Sequence, residues 1–233
     1  MAQSLPLVLV PGLLCSARLY AAQVAALWPF GRVAIADHRR DTDMAAIAAR
    51  ILADAPPRFA LAGLSMGGYI AFAMMRQAPE RIAKLALLDT SSRPDTPEQK
   101  ATRDKSIATA EAGKLDDIVE TLIPRFLHRN HLNDEALKKT IRTMAAETGA
   151  EAFVRQTKAI KSRQDSRPLL AEIKCPTLVL VGDGDELTPP ELAKEIAGGI
   201  SGAKLAVIPD CGHLSTLEKP DAVNSALANW LEI

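Results

Sequence analysis

The sequence predicts an α/β fold in which a six-stranded parallel sheet is covered by helices on both faces and interrupted by a helical insertion. Three observations carry that expectation. Short, almost continuous apolar runs recur through residues 1–90 and 174–233, as expected of strands buried on both faces. Segments of helical spacing separate them, as the crossovers of a parallel sheet require. Between residues 91 and 173 no convincing strand occurs, and the chain there is charged and helical in pattern.

Taken in order, Leu7–Val10 reads as a buried strand ending at Pro11-Gly12, and Arg32–Asp37 as a second. An Ala-rich amphipathic helix follows around Met44–Ala53, then a strand at Phe59–Gly63, a helix at Gly67–Gln77 and a strand at Ile82–Asp89. The insertion shows helical spacing at Ala101–Ala112, Leu115–Leu127, Asp134–Glu147 and Ala150–Arg163. Strands resume at Pro176–Val181 and Lys204–Ile208, with helices at Pro190–Ala197 and Asp221–Leu231. The expected organisation is a core of residues 1–90 and 174–233 with an inserted unit at 91–173. No repeat, low-complexity tract or flexible linker stands out.

Composition narrows the function. Hydrophobic residues make up 48% of the 233 residues and charged residues 24%, enough for a substantial core. Lys and Arg total 28 against 28 Asp and Glu, so the chain lacks the basic footprint that binding to nucleic-acid phosphates needs. No apolar run approaches the roughly 18 residues of a membrane span. The segment Met1–Val10 has no basic region before its apolar run, so no secretory leader is expected. Cys15, Cys175 and Cys211 are odd in number and have no C-x-x-C spacing, which fits a reducing, cytoplasmic setting without a disulfide framework. Nothing in the sequence speaks to oligomeric state.

The chemistry concentrates in Phe59-Ala60-Leu61-Ala62-Gly63-Leu64-Ser65-Met66-Gly67-Gly68-Tyr69, a strand, then G-x-S-x-G, then a helix. A serine on such a turn is strained and lifted clear of the sheet, and the following helix presents N–H groups to any oxyanion formed there. Serine needs a base. Of the four histidines, His213 follows the last strand in Pro209-Asp210-Cys211-Gly212-His213-Leu214 and is the candidate. His38 lies in the charged run His38-Arg39-Arg40-Asp41 and reads as solvated, while His128 and His131 fall in the insertion and lack accompanying metal ligands. A carboxylate must orient the imidazole. Asp183 and Asp185, in the loop Gly182–Pro189, compete for that role, with Asp89 at the end of the fourth strand behind them. The order Ser…Asp…His, each member after a strand, is that of α/β-hydrolases.

Over nearly its whole length the sequence resembles the α/β-hydrolase superfamily. Four blocks carry the resemblance: Val8–Leu13 as first strand and oxyanion loop, Gly63–Gly68 as nucleophile elbow, Val181–Pro189 as acid loop, and Gly212–Pro220 as histidine loop. The resemblance implies Asp185 as the acid, three residues before Thr188-Pro189. It also implies an oxyanion hole made by the backbone N–H groups of Leu13 and Met66. Two departures are visible. Pro11 stands where many members have histidine, and there is no room before Leu7 for the usual antiparallel hairpin, so the sheet should be all-parallel. The insertion falls where the family carries a cap. Leu14, Cys15, Tyr69 and Leu214 flank the candidate catalytic positions and are expected to line the pocket, as is Gln156. Phe153–Arg163 is basic, and one of Arg155, Lys158 or Arg163 could meet a substrate carboxylate, against the simpler reading of a solvated helix face.

The resemblance implies a serine hydrolase acting on a small carboxylic ester, thioester or lactone, with Ser65 as nucleophile, His213 as base and Asp185 as orienting acid. That chemistry needs no cofactor or metal, and the partner is a small ester-like molecule. Serine at the elbow argues against the haloalkane dehalogenases and epoxide hydrolases, which use aspartate there. Rivals that keep Ser-Asp-His are cofactor-free perhydrolases and lyases or C–C bond hydrolases acting on a carboxylate-bearing substrate, similar to the menaquinone-pathway synthase or to meta-cleavage-product hydrolases. A catalytically silent small-molecule receptor is the rival from another class.

Overall fold

The computed structural model describes residues 5–232. The expectation about a leader rests partly on residues 1–4, which lie outside that range. The first half of the core runs β1 (Leu7–Val10), α1 (Ala21–Leu27), β2 (Val33–Ile35), α2 (Met44–Asp54), β3 (Phe59–Leu64), α3 (Met66–Gln77) and β4 (Ile82–Leu88). The insertion holds α4 (Pro97–Glu111), α5 (Leu115–Phe126), α6 (Glu135–Thr148) and α7 (Ala150–Ser162). After α8 (Arg167–Leu170) the core resumes with β5 (Thr177–Gly182), α9 (Pro190–Gly199), β6 (Lys204–Ile208), α10 (Ser215–Glu218) and α11 (Pro220–Glu232).

The six strands form one parallel sheet in the order β2-β1-β3-β4-β5-β6. Successive side chains on a strand point to opposite faces. Leu7, Leu9, Ala60, Ala62, Leu64, Ala86 and Leu88 therefore pack on one side with Leu27 of α1 and Val223, Leu227 and Trp230 of α11. Val8, Val10, Leu61, Leu85, Leu87, Val179 and Val181 pack on the other with α2, α3 and α9. This two-sided burial is why the strands read as unbroken apolar runs.

The insertion shares the first of these cores, through Ile118, Phe126, Ile141, Met144 and Phe153. It is also tied down at its margins. Glu147 of α6 accepts from Ser16 Oγ and Arg18 Nε, each at 2.6 Å.

Several elements depart from the expected pattern, the single-turn α8 and α10 among them, which had no expected counterpart. Helix α4 begins at Pro97, four residues before the apolar spacing starts. Thr96 and Gln99 form a reciprocal capping box there, with Thr96 N–H donating to Gln99 Oε1 at 2.9 Å and Gln99 N–H to Thr96 Oγ1 at 3.3 Å. Helix α1 is short and Ala-rich and had no expected counterpart. It exists because Leu27 and the fully buried Gln23 dock against the C-terminal region of the chain, where Gln23 Nε2 donates to Asn224 Oδ1 at 3.0 Å.

Candidate active site

Ser65 sits between β3 and α3 with φ 55° and ψ −113°, in the left-handed region that an L-residue enters only under constraint. The constraint is close packing of backbone. A Cβ on Gly63 would stand 2.2 Å from Gly67 O, and one on Gly67 would stand 2.0 Å from Val10 O. Glycine is the one residue that lets strand, turn and helix approach this closely. Ser65 N–H donates to Leu88 O at 2.9 Å, and Ser65 O accepts from Gly68 N–H at 2.9 Å and Thr90 Oγ1 at 2.8 Å.

The structure brings Ser65, His213 and Asp185 into one hydrogen-bonded chain. His213 Nδ1 lies 2.8 Å from Asp185 Oδ2, and His213 Nε2 lies 2.8 Å from Ser65 Oγ. A carboxylate can only accept, so the ring proton sits on Nδ1 and leaves Nε2 free to accept from the serine hydroxyl. Asp185 is itself held by the N–H groups of Leu187 and Thr188 at 2.8 and 2.9 Å and by the Thr188 hydroxyl at 2.7 Å. Both Asp185 and His213 are 2% exposed. Burial penalises the charged ring of His213, but the Asp185 charge and hydrogen bond outweigh it, and the imidazole pKa is raised from 6.5. For Asp185, burial is likewise outweighed by His213 and by the bonds it accepts, so its pKa is lowered.

The rival carboxylates take other positions. Asp183 turns to the backbone and accepts from Cys211 N–H at 3.1 Å. Asp89 is fully buried beside this chain, with Oδ1 accepting from Gly182 N–H at 3.0 Å and Oδ2 paired with the Ser215 hydroxyl. Burial, reinforced by the Asp185 charge, pushes its pKa well above the carboxylate range.

Above the serine lies a cavity of about 530 Å³, walled by the turn after β1, by Ser65 and His213, and by the insertion helices α4, α5 and α7. Cys15, Tyr69 and Leu214, singled out for the pocket, lie in its lining, as does Leu13. Leu14 and Gln156 do not, which corrects the sequence reading. Leu14 adopts φ 60° and donates its N–H to Gln156 Oε1 at 3.2 Å, so its side chain joins the core and Gln156, fully buried, becomes a brace for the loop. His38 corrects a second expectation. Its ring is 2% exposed rather than solvated, donating from Nε2 to Gly12 O at 2.9 Å and standing 3.0 Å from Gln156 Nε2. Burial lowers its pKa to about 4, so it braces the loop as a neutral ring. Neither the Leu13 nor the Met66 N–H bonds to another group among the described residues. A larger groove of about 790 Å³ runs along the β2 edge past Asp37, Arg40 and Arg50, but none of Ser65, Asp185, His213, Leu13 and Met66 lines it.

Sequence reading missed Glu218. Its carboxylate accepts from Gly212 N–H at 2.9 Å, His128 N–H at 2.8 Å and His131 Nδ1 at 2.8 Å. Phe126 O accepts from the His213 and Leu214 N–H groups at 2.9 and 3.2 Å, and the Phe126 ring stacks on His213 with centroids 5.9 Å apart. The end of α5 thus grips the histidine loop. The only advance signal was Glu218 within the histidine-loop block. Among the described residues no group of three or more His, Cys, Asp or Glu side chains is disposed to hold a metal ion, and no helix is long and apolar enough to cross a membrane.

Comparison with known proteins gives this arrangement a context. The model of the alpha/beta hydrolase family matches residues 7–226. A 2-hydroxy-6-oxononadienedioate/2-hydroxy-6-oxononatrienedioate hydrolase of Escherichia coli K12 is 30% identical over 181 residues, covering 73% of this chain and 61% of that protein. A thermophilic esterase from Thermogutta terrifontis, solved with malate bound, superposes with a TM-score of 0.90 at 33% identity, covering 98% of this chain and 89% of that one. The enol-lactonase of Burkholderia xenovorans LB400 also superposes with a TM-score of 0.90, at 26% identity over 100% of this chain and 93% of its own. The chain therefore belongs to the α/β hydrolase family and is a hydrolytic enzyme of that fold.

Proposed function

We propose that the protein is a serine hydrolase of small carboxylic esters or lactones. The observation that carries this reading is the unbroken chain Asp185–His213–Ser65, ending on a serine at φ 55° on the floor of a cavity roofed by the insertion. His213 Nε2 takes the hydroxyl proton as Ser65 Oγ bonds to the carbonyl carbon, and Asp185 stabilises the imidazolium. The oxyanion is met by the N–H groups of Leu13 and Met66, both without a protein acceptor. Each such donor contributes roughly 3–4 kcal/mol to lowering the barrier. His213 then passes the proton to the leaving oxygen, and water repeats the sequence on the acyl-enzyme to release the acid.

The insertion fits the role of a cap, residues 91–173 over a core of 1–90 and 174–233, and α5 and α7 supply the apolar walls that exclude water. The relatives named as an esterase and an enol-lactonase act on the bond type this site suits. The test is hydrolysis of p-nitrophenyl esters from acetate to octanoate by wild type and Ser65→Ala. Turnover that disappears with Ser65 is expected. Its absence in wild type would overturn the ester-hydrolase reading.

A further inference from the structure

Four arginines line the catalytic cavity: Arg93, Arg103, Arg125 and Arg163. Three are engaged in ion pairs, two of them sharing the single carboxylate of Asp95. Arg93 forks onto Glu195 at 2.9 and 3.1 Å, and Arg103 forks onto Asp95 at 2.6 and 3.2 Å. Arg163, just past α7 and alone of the three basic residues singled out in Phe153–Arg163 in reaching the cavity, pairs with Asp95 at 2.8 Å and lies over the Tyr69 ring at 4.3 Å. Its companions look elsewhere, Arg155 to Arg39 O at 2.8 Å and Lys158 to Glu111 at 3.9 Å. Arg125 differs from all of these. It makes no hydrogen bond and no ion pair among the described residues.

Its position is as informative as its lack of a partner. Ile118, Leu122, Arg125 and Phe126 all face the cavity and follow i, i+4, i+7, i+8 spacing along α5. Arg125 thus occupies a helix face that is otherwise apolar, where packing alone would place a hydrophobe. It directly precedes Phe126, which stacks on His213 and accepts two N–H groups of the histidine loop. The single carboxylate residue in the lining is Glu98, in the first turn of α4. Its charge is met by the Thr96 side chain, its own N–H and the positive end of that helix. An unpaired cation therefore faces the chamber from the apolar side of α5, at its exposed rim.

We propose that Arg125 recognises a carboxylate on the substrate, so that the ester or lactone taken by this cavity is an apolar body carrying one anionic group. This rests on the hydrolase reading for the bond cleaved. An exposed guanidinium acts mainly through attraction of the incoming anion and is screened by salt, so the preference is modest. About five- to ten-fold is expected.

The probes are mono-p-nitrophenyl adipate and p-nitrophenyl hexanoate, which share an acyl length and differ in the terminal carboxylate. Binding is measured by calorimetry on Ser65→Ala protein, which holds the ester without cleaving it, at 20 and 500 mM NaCl. The adipate half-ester should bind about five- to ten-fold more tightly relative to hexanoate than it does after Arg125→Gln or in high salt. Arg129→Gln, at an exposed arginine outside the lining, should leave that ratio unchanged. An Arg125→Gln effect equal on both probes, or no effect, would overturn the proposal, as would an equal loss with Arg129→Gln. Turnover by wild type is read separately, so its failure strikes the hydrolase reading and leaves the binding comparison standing.

Discussion

The serine turn and the histidine loop are held by opposite means. Ser65 is fixed by backbone against backbone, Gly63 on Gly67 and Gly67 on Val10, all within the first half of the core. His213 is held on its ring by Asp185 of the core, and its loop is gripped in addition from outside the core. Its N–H is accepted by Phe126, its ring is stacked by Phe126, and the preceding Gly212 is pinned by a carboxylate that also holds His128 and His131 of the insertion. The proposed nucleophile is thus a property of the sheet alone, whereas the proposed base depends also on the docked cap. Changes at the turn should cost the fold, and changes in the cap contact should cost catalysis with the fold intact.

The most damaging test is Gly67→Ala. Its Cβ would meet Val10 O at 2.0 Å, and backbone on both sides has little room to yield. A loss of about 3 kcal/mol or more is expected, read as a large fall in melting temperature. A well-folded Gly67→Ala protein would break the first half of the comparison. Next comes Asp185→Asn, which should lower kcat by about 10³–10⁴-fold without unfolding, against less than about ten-fold for Asp183→Asn. A reversed order would move the acid to Asp183.

Glu218→Gln sharpens the second half. An amide must turn its NH2 toward one of three donors, so the clamp loosens, and kcat should fall about 10–100-fold with the melting temperature moved only slightly. His213 must be neutral to accept a proton, so the acid limb of kcat/KM in wild type is expected above pH 6.5, since its pKa is raised. The Glu218 charge contributes to that rise, so the limb should shift downward in Glu218→Gln. An unmoved limb with unchanged kcat would detach the base from the cap. The smallest effect belongs to Asp89→Asn. A carboxyl held protonated can donate to Ser215 while accepting from Gly182, and an amide does the same, so kcat at pH 7 should change less than about three-fold.

Burial on both faces of the sheet made β1, β3, β4 and β5 legible as almost continuous apolar runs, and G-x-S-x-G marked the turn because glycine there is a steric necessity. Legibility fell where partners are distant in sequence. Nothing around Glu218 announces that it accepts from His128, ninety residues away. His38 misled because the run His38-Arg39-Arg40-Asp41 is charged, yet one imidazole in it turns inward to Gly12. Gln156 was singled out for the cavity, but its amide instead meets the Leu14 N–H exposed by a left-handed turn that sequence does not display. The spacing of Arg125 within the apolar face of α5 was visible, but that it lacks a counter-charge required the positions of Asp95 and Glu195.

The two hydrogen bonds that the His213 and Leu214 N–H groups donate to Phe126 O have a kinetic consequence. Lifting α5 away from the sheet would drag the imidazole off the serine hydroxyl, so an open cap and an assembled proton relay exclude each other. Substrate that entered under a lifted roof would meet an unassembled site, and the three groups would realign only as α5 returned.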